Sequence, residues 1–270
     1  ESGYSRALSW YVWQVLKSVP KFVSHSFYWS SVMFKNYFKV ALRNLRKYKA
    51  YSGINIAGLS VGIACFLLIL LYIVDELSYD RFHENADTIY GVNLRIASST
   101  SDNDLAIGPA PLARTMEEEF PEVIKAGRLS TAWSANIQYE DRQFMEENLF
   151  YADPSIFEIF TIPFVQGDPS VLEEPYTMVI TQSTADKYFG TEDPIGKTVR
   201  AYGRVDYHVK GVVQDYPDNS HFDFDFLASM SSYEFSNNTW WMQNGFHTYV
   251  LLEENNSPEQ VDSKLEGFVQ

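Results

Sequence analysis

The pattern of hydrophobic positions is dominated by one stretch without charge, Tyr51–Val74, which reads YSGINIAGLSVGIACFLLILLYIV. At about 1.5 Å per residue, a helix from Gly53 to Val74 is roughly 33 Å long. The hydrocarbon core of a bilayer is about 30 Å thick, so the stretch predicts a transmembrane helix. A buried core helix rarely lacks a polar face over such a length, and the core of a signal peptide is shorter.

The residues before this stretch follow a helical pattern. Hydrophobic side chains recur at spacings of three and four from Phe34 to Tyr48, and basic side chains fill the other faces. This pattern predicts an interfacial amphipathic helix over residues 33–50, with a hinge near Ser52–Gly53 where it enters the transmembrane helix. The predicted membrane-interface residues are Phe34, Tyr37, Phe38, Lys39, Arg43, Arg46 and Lys47.

Residues 1–32 form an aromatic and basic prefix. Within it, Leu8–Val19 can form an amphipathic helix that Pro20 ends. Trp and Tyr favour the membrane interface and Lys favours an anionic inner leaflet, so the prefix is expected to lie on the cytoplasmic surface. The alternative is a segment that docks on another protein.

Inside the predicted transmembrane helix, Gly58 and Gly62 have the GxxxG spacing. Small residues at this spacing allow the backbones of two helices to approach closely. Glycine is common in membrane helices, so the motif is a weak signal by itself. It makes Gly58 and Gly62 candidates for packing against another membrane helix.

After Val74 the pattern changes to short strands and helices, which predicts an α+β domain of two lobes with mixed sheets over residues 75–270. The predicted strands are Thr88–Ala97, Val123–Leu129, Ala135–Tyr139, Tyr176–Thr181, Phe222–Ala228 and Thr248–Glu253, with a hairpin of Lys197–Tyr202 and Tyr207–Gln214. The predicted helices are Pro111–Phe120, Pro154–Phe160, Ser183–Phe189 and Pro258–Phe268. Gly190 is placed to end one helix, and a Ser/Asp/Asn loop is expected after Ala97.

Charge divides the chain at the end of the apolar stretch. Residues 1–74 hold nine Lys or Arg and one acidic residue, whereas residues 75–270 hold 12 basic and 34 acidic ones. Lys and Arg are retained in the cytoplasm, so residues 1–50 are predicted to be cytoplasmic and residues 75–270 extracytoplasmic. The acidic outer part argues against a nucleic-acid partner. The only cysteine, Cys65, lies in the apolar stretch, which excludes a disulfide framework.

Two stretches resemble ligand sites, but ordinary structure explains them better. Gly190–Thr198 resembles a phosphate-binding loop, yet it has five residues between its glycines, contains Pro194 and follows a helix, which predicts a helix cap, a turn and a strand. His221, Asp223 and Asp225 would share one face of a strand at steps of about 6.6 Å, which suits a solvated face better than a metal site. No catalytic, cofactor-binding or metal-binding residue is predicted.

Four stretches of the chain carry a family resemblance. The first is Met33–Tyr90, which ends in DELSYDRFHENADTIY, and the others are VITQSTADKYFGTEDPIGKTV (Val179–Val199), VKGVVQDYPDNSHFDFDFLASM (Val209–Met230) and YVLLEE (Tyr249–Glu254). The first resembles the N-terminal unit of ABC transporter permeases of the MacB/FtsX type, in versions common in Bacteroidota. The other three resemble the periplasmic core domain of these permeases.

The resemblance implies a permease subunit of the inner membrane, with further membrane helices beyond Gln270 in a longer protein. It implies a separate cytoplasmic ATPase subunit, a second permease copy in a homodimer or pseudo-dimer, and movement of the periplasmic domain for export or mechanotransmission. A periplasmic adaptor or substrate is a further expected partner, and neither a cofactor nor an enzymatic activity of the chain itself is expected.

The alternative function is that of a single-pass membrane sensor with an extracytoplasmic ligand-binding domain. A sensor needs a signalling module in the cytoplasm. Only residues 1–50 precede the predicted span on that side, which disfavours the sensor.

Overall fold

The computed structural model describes residues 10–11, 13–15, 17, 32–97, 102–132, 134–217 and 219–268. The chain separates into two compact units, Glu1–Val74 and Asp75–Gln270. Most of the predicted prefix, residues 1–32, lies outside the described residues. Those described between positions 10 and 17 are helical.

Between residues 32 and 76, two long helices follow each other. α1 covers residues 32–47 and α2 covers Lys49–Glu76, with Tyr48 in a turn between them. The expected hinge near Ser52–Gly53 is therefore wrong, and the break lies at Tyr48. The N–H of Ser52 donates to the carbonyl of Tyr48 (2.9 Å), which keeps Ser52 and Gly53 within regular helix.

α2 is apolar on all sides and none of its residues is buried. Its most apolar 18-residue window has a mean hydropathy of 2.6. Among the described residues it is the one helix long and apolar enough to cross a membrane, as judged from length and composition.

The second unit is a mixed α+β domain, as predicted. Its helices are α3 (Leu112–Glu119), α4 (Ile156–Ile159), α5 (Gln182–Phe189) and α6 (Pro258–Phe268). Its strands are β1 (Ile89–Val92), β2 (Leu94–Ala97), β3 (Asp102–Leu105), β4 (Gly108–Pro109), β5 (Val123–Thr131), β6 (Ala135–Tyr139), β7 (Arg142–Glu146), β8 (Leu149–Ala152), β9 (Phe164–Gln166), β10 (Thr177–Thr181), β11 (Thr198–Ala201), β12 (Val205–Val213), β13 (Phe226–Ser229) and β14 (Asn244–Leu252).

One mixed sheet forms the frame of this domain. Its strands follow the order β1-β14-β5-β8-β13-β10-β12-β11-β6-β7, while β4 pairs with β14 and β9 pairs with β12. The β10–β12 and β13–β8 pairs are parallel, and β11 and β12 form the predicted antiparallel hairpin. Any division of the domain into the two predicted lobes therefore cuts across one hydrogen-bonded sheet.

α5 shows how local signals and packing fix an element of this domain. Thr181 caps its start by accepting a hydrogen bond at Oγ1 from the N–H of Thr184 (3.4 Å), and Gly190 follows its end with a φ of 65°. Its inner face buries Tyr188 completely against Phe226 of β13, with the ring centroids 5.7 Å apart. Of these features, Gly190 at the end of the helix was predicted from the sequence.

Two predicted strands need correction. The strand predicted at Thr88–Ala97 is split, because β1 pairs with β14 whereas β2 pairs with β3, which occupies the expected loop after Ala97. The strand predicted from Phe222 begins only at Phe226. The preceding N–H groups of His221 and Asp225 are bonded instead to the side chain of Asp80 and to the carbonyl of Asn148.

Candidate functional site

Residues 77–88, here called the connecting segment, lead from the end of α2 at Glu76 to the start of β1 at Ile89. The segment consists of turns and contains neither helix nor strand. Its path is therefore determined by its contacts with other loops of the outer domain. Two sets of hydrogen bonds, here called the first and the second anchor, make these contacts.

The first anchor joins the connecting segment to residues 219–221. The N–H of Asp80 donates to the carbonyl of Asn219 (3.1 Å), and Oδ1 of Asp80 accepts from the N–H of His221 (2.7 Å). Nδ2 of Asn219 donates in turn to the carbonyl (3.0 Å) and to Oγ (3.2 Å) of Ser78. Asp80 has a φ of 57°, a left-handed conformation in which Asp is enriched. Both loops contribute backbone and side-chain atoms to this anchor.

The second anchor joins the connecting segment to Thr161, just beyond α4. The N–H of Thr161 donates to Nδ1 of His83 (3.1 Å), and the N–H of Glu84 donates to Oγ1 of Thr161 (2.8 Å). The imidazole of His83 is enclosed, with the residue 4% exposed, and its ring lies 5.1 Å from that of Phe160 between centroids. Because Nδ1 accepts a hydrogen bond, the neutral ring carries its proton on Nε2.

The electrostatics of the site centre on the Asp80 carboxylate. Burial lowers the pKa of His83 from its ordinary value, and Asp80 offsets part of this effect. Burial raises the pKa of the Tyr216 phenol, and Asp80 raises it further. The same two causes raise the pKa of Tyr249 to about 12. Near neutral pH, these three side chains are therefore uncharged.

A cleft of about 360 Å³ opens beside the connecting segment. Its lining includes the polar residues Asp80, Arg81 and Asp87 and the aromatic residues Phe222 and Tyr249. Within the described residues, no group of three or more His, Cys, Asp or Glu side chains is arranged to hold a metal ion. The two anchors together join three loops of the domain: the connecting segment, residues 219–221 and the loop that contains Thr161.

The two glycines predicted to pack against another helix lie on one face of α2. A side chain built at Gly58 or Gly62 would meet nothing within 4 Å. The face is open, so the packing role stays a prediction.

The predicted membrane-interface residues all lie on α1 and are all exposed: Phe34, Tyr37, Phe38, Lys39, Arg43, Arg46 and Lys47. The rings of Phe34 and Phe38 stack at 6.4 Å between centroids, as residues one turn apart can. Their contact with a membrane interface stays a prediction.

The interpretation of Gly190–Thr198 as cap, turn and strand is confirmed, since α5 ends before Gly190 and β11 begins at Thr198. Nζ of Lys197, the residue at the lysine position of a phosphate-binding loop, donates to Oε2 of Glu192 (2.8 Å). Oγ1 of Thr198 lies 3.0 Å from Nδ1 of His208. The first contact lies within the turn, and the second joins the two strands of the β11–β12 hairpin.

The three acidic and histidine residues that alternate before β13 have separate partners. Oδ2 of Asp223 accepts from Nδ2 of Asn148 (3.4 Å), and Oδ1 of Asp225 accepts from Oγ1 of Thr184 (3.4 Å). His221 belongs to the first anchor through its N–H. The structure therefore distributes these residues among three different contacts.

The residues of the two anchors were not predicted as a site. The signal present in the sequence was the pair of polar strings SYDRFHEN and DNSH, which lie inside two of the stretches that resemble permeases. Asn219 and Ser78 are 141 positions apart, so nothing in the local pattern of either indicates the other.

Comparison with known proteins agrees with this architecture. The profile of the MacB-like periplasmic core domain matches residues 52–268. A domain of a Porphyromonas gingivalis protein described as a permease is 25% identical, with a TM-score of 0.62 over 68% of this chain and 81% of that chain. No curated protein matches the chain.

Two further solved structures are more distant. The periplasmic region of MacB from Actinobacillus actinomycetemcomitans is 18% identical, with a TM-score of 0.47 over 58% of this chain and 70% of that chain. The extracellular domain of the noncanonic ABC-type transporter YknZ from Gram-positive bacteria is 16% identical, with a TM-score of 0.48 over 65% and 87%. The family profile covers most of the chain, which therefore belongs to the family of the MacB-like periplasmic core domain, as found in ABC transporter permeases of the MacB/FtsX type.

Proposed function

We propose that this chain is the permease subunit of a transporter in which ATP hydrolysis in the cytoplasm moves the periplasmic domain, for export or for mechanotransmission. The double anchoring of the connecting segment carries the proposal. Asn219 and Thr161 hold this segment to two separate loops, so a displacement of its α2 end acts on both. A flexible linker would absorb such a displacement.

The proposed partners follow from the same scheme. ATP is hydrolysed by a separate cytoplasmic subunit, and a second permease copy completes a homodimer or pseudo-dimer. The chain lies in the inner membrane with residues 1–50 in the cytoplasm and residues 75–270 in the periplasm. The excess of Lys and Arg before α2 supports this orientation.

The orientation is tested with single cysteines in a Cys65→Ala background. Lys35 on α1 and Glu254 after β14 are both exposed, so each cysteine is accessible to reagent from its own side. In spheroplasts, an impermeant maleimide is expected to label Glu254→Cys and to leave Lys35→Cys unlabelled until the membrane is permeabilised. Labelling of Lys35→Cys alone would contradict the orientation.

The coupling is tested by loosening the first anchor with Asp80→Ala/Asn219→Ala in the full-length permease, purified with its ATPase. Spin labels at Glu254 of two copies report movement of the periplasmic domain by pulsed EPR. We expect the ATP-dependent change in distance to fall to less than half, because the segment no longer holds its loop, while ATP turnover continues.

The matched control is Asp141→Ala/Asn237→Ala, which removes the same residue types from exposed positions outside the anchors. The control variant is expected to show the same ATP-dependent change in the distance between the spin labels as the wild type. A full-sized movement in the double anchor variant, or the failure of any ATPase to co-purify, would contradict the proposed coupling.

A further inference from the structure

The His83 side chain of the second anchor is held in a way that depends on its protonation state. Nδ1 uses its lone pair to accept the hydrogen bond from the N–H of Thr161. Nε2 is fully buried and has no hydrogen-bond partner among the described residues. A ring in this setting can keep both its burial and its bond to Thr161 only while it is neutral.

The groups that face this ring are few. Asp80 is the nearest charge, with Oδ1 4.0 Å from Nε2. Arg81 and Asp87 of the same segment, and His221 of the opposite loop, line the adjoining cleft. The rings of Phe82 and Phe160 pack against the imidazole, and Tyr249 lines the same cleft. These three groups carry no charge, since burial keeps the Tyr249 phenol protonated.

A second proton on the ring would change both anchors. At Nδ1 it would place a donor against the N–H of Thr161, and that hydrogen bond would be lost. The positive ring would also attract the carboxylate of Asp80, whose Oδ1 holds the N–H of His221 in the first anchor. Both changes act on the same connecting segment.

We propose that His83 is a pH-sensitive latch, whose protonation at Nδ1 releases the connecting segment from Thr161 and loosens it from the rest of the outer domain. Burial lowers the pKa of the His83 ring in the closed segment, so the ring binds a proton more readily when the segment is open and the ring is solvated. Acid therefore favours the open segment, as a latch of this kind requires. In the proposed orientation, the latch would respond to the pH of the periplasm.

The test is amide hydrogen exchange of the full chain in detergent micelles between pH 5 and pH 8, with rates corrected for their intrinsic pH dependence. The reporters are the N–H groups of Glu84 and Thr161. We expect their protection to fall by up to tenfold per pH unit below about pH 6.5, since one proton is taken up on opening. Protection within β10, whose residues are all buried, is expected to stay constant.

Three variants make the test specific. His83→Asn keeps an acceptor near the position of Nδ1 but cannot titrate, so its protection is expected to be independent of pH. Asp80→Asn keeps the acceptor for His221 but removes the charge that favours the protonated ring. The protection of this variant should therefore keep falling to a lower pH than the protection of the wild type does. His221→Asn removes the other histidine at the cleft and should follow the wild-type curve.

A wild-type curve without pH dependence, or the wild-type slope in His83→Asn, would overturn the latch. The latch would also be overturned if the protection of Asp80→Asn stopped falling at the same pH as that of the wild type. This result can be obtained even if His83→Asn does not fold. The measurement involves no ATPase, so its failure would leave the proposed transport function standing.

Discussion

The two units of the chain differ in whether their apolar side chains are buried. In residues 75–270, large side chains such as Tyr188 and Phe226 are enclosed between the sheet and its helices. In α2, the one described helix that is long and apolar enough to cross a membrane, no residue is buried. The hydrophobic effect depends on apolar area removed from water, so the outer domain obtains this stabilisation within the chain, whereas α2 needs lipid or other helices.

This contrast predicts where substitutions of the same kind will matter. A truncated side chain in the outer domain leaves a cavity that only the domain itself can fill. A truncated side chain on α2 removes area from a surface that this chain does not cover. The following substitutions test the contrast from the largest expected effect to the smallest.

Phe226→Ala is expected to lower the free energy of unfolding of the outer domain by about 3–5 kcal/mol, because it empties a site at the centre of the sheet. Phe226 is 1% exposed and contacts the ring of Tyr188. Denaturant unfolding followed by near-UV circular dichroism measures the loss. Phe66→Ala on α2 is the control, and the contrast fails if both variants unfold the outer domain at the same denaturant concentration.

Arg128→Ala is expected to cost about 2–3 kcal/mol, because it removes the side-chain donors of the mostly buried Asp153 carboxylate and a donor from each of two carbonyls. The carboxylate keeps its bond from the backbone N–H of residue 128 (2.9 Å). Arg128 donates to both carboxylate oxygens of Asp153 (2.8 and 3.0 Å) and to the carbonyls of Ala110 (2.9 Å) and Ser236 (2.7 Å). The same unfolding assay applies.

The matched control for Arg128 is Arg200→Ala. Arg200 makes a similar two-bond contact with Asp206 (2.7 and 3.0 Å), but both side chains are about half exposed. Water competes for such a pair, so its loss is expected to lower the free energy of unfolding much less than the loss of Arg128 does. Equal costs for the two arginines would show that burial does not decide the strength of these contacts.

The sequence predicted those elements of the outer domain that have local signals. β6 and α6 were predicted with the bounds that the structure has, and α5 was placed to within one residue, with Gly190 marking its end. β7 was missed because it is an edge strand with four of its five residues exposed, which erases the alternation. β3 was also missed, because its residues are mostly polar and show no alternation of apolar and polar positions.

The anchors were missed for a different reason. Each joins the connecting segment to a residue far along the chain, Thr161 or Asn219, through a few hydrogen bonds. Hydrophobic periodicity reports which face of an element is buried, and it contains no information about which distant polar atoms will meet. The span of α2, in contrast, depends only on length and composition and was visible from the sequence alone.

The smallest expected effect on the chain itself is also the sharpest test of where α2 finds its burial. Gly58→Leu/Gly62→Leu adds side chains that meet nothing in this chain, so the unfolding of the outer domain should be unchanged. The substitution makes α2 more apolar, and insertion should therefore survive. If the glycine face contacts a neighbouring helix, the leucines keep the backbones apart, and ATPase stimulation in the full-length complex should be lost. Ala64→Leu enlarges a side chain on another face of α2 and should be silent. A double variant that assembles and turns over normally would leave lipid as the partner of that face.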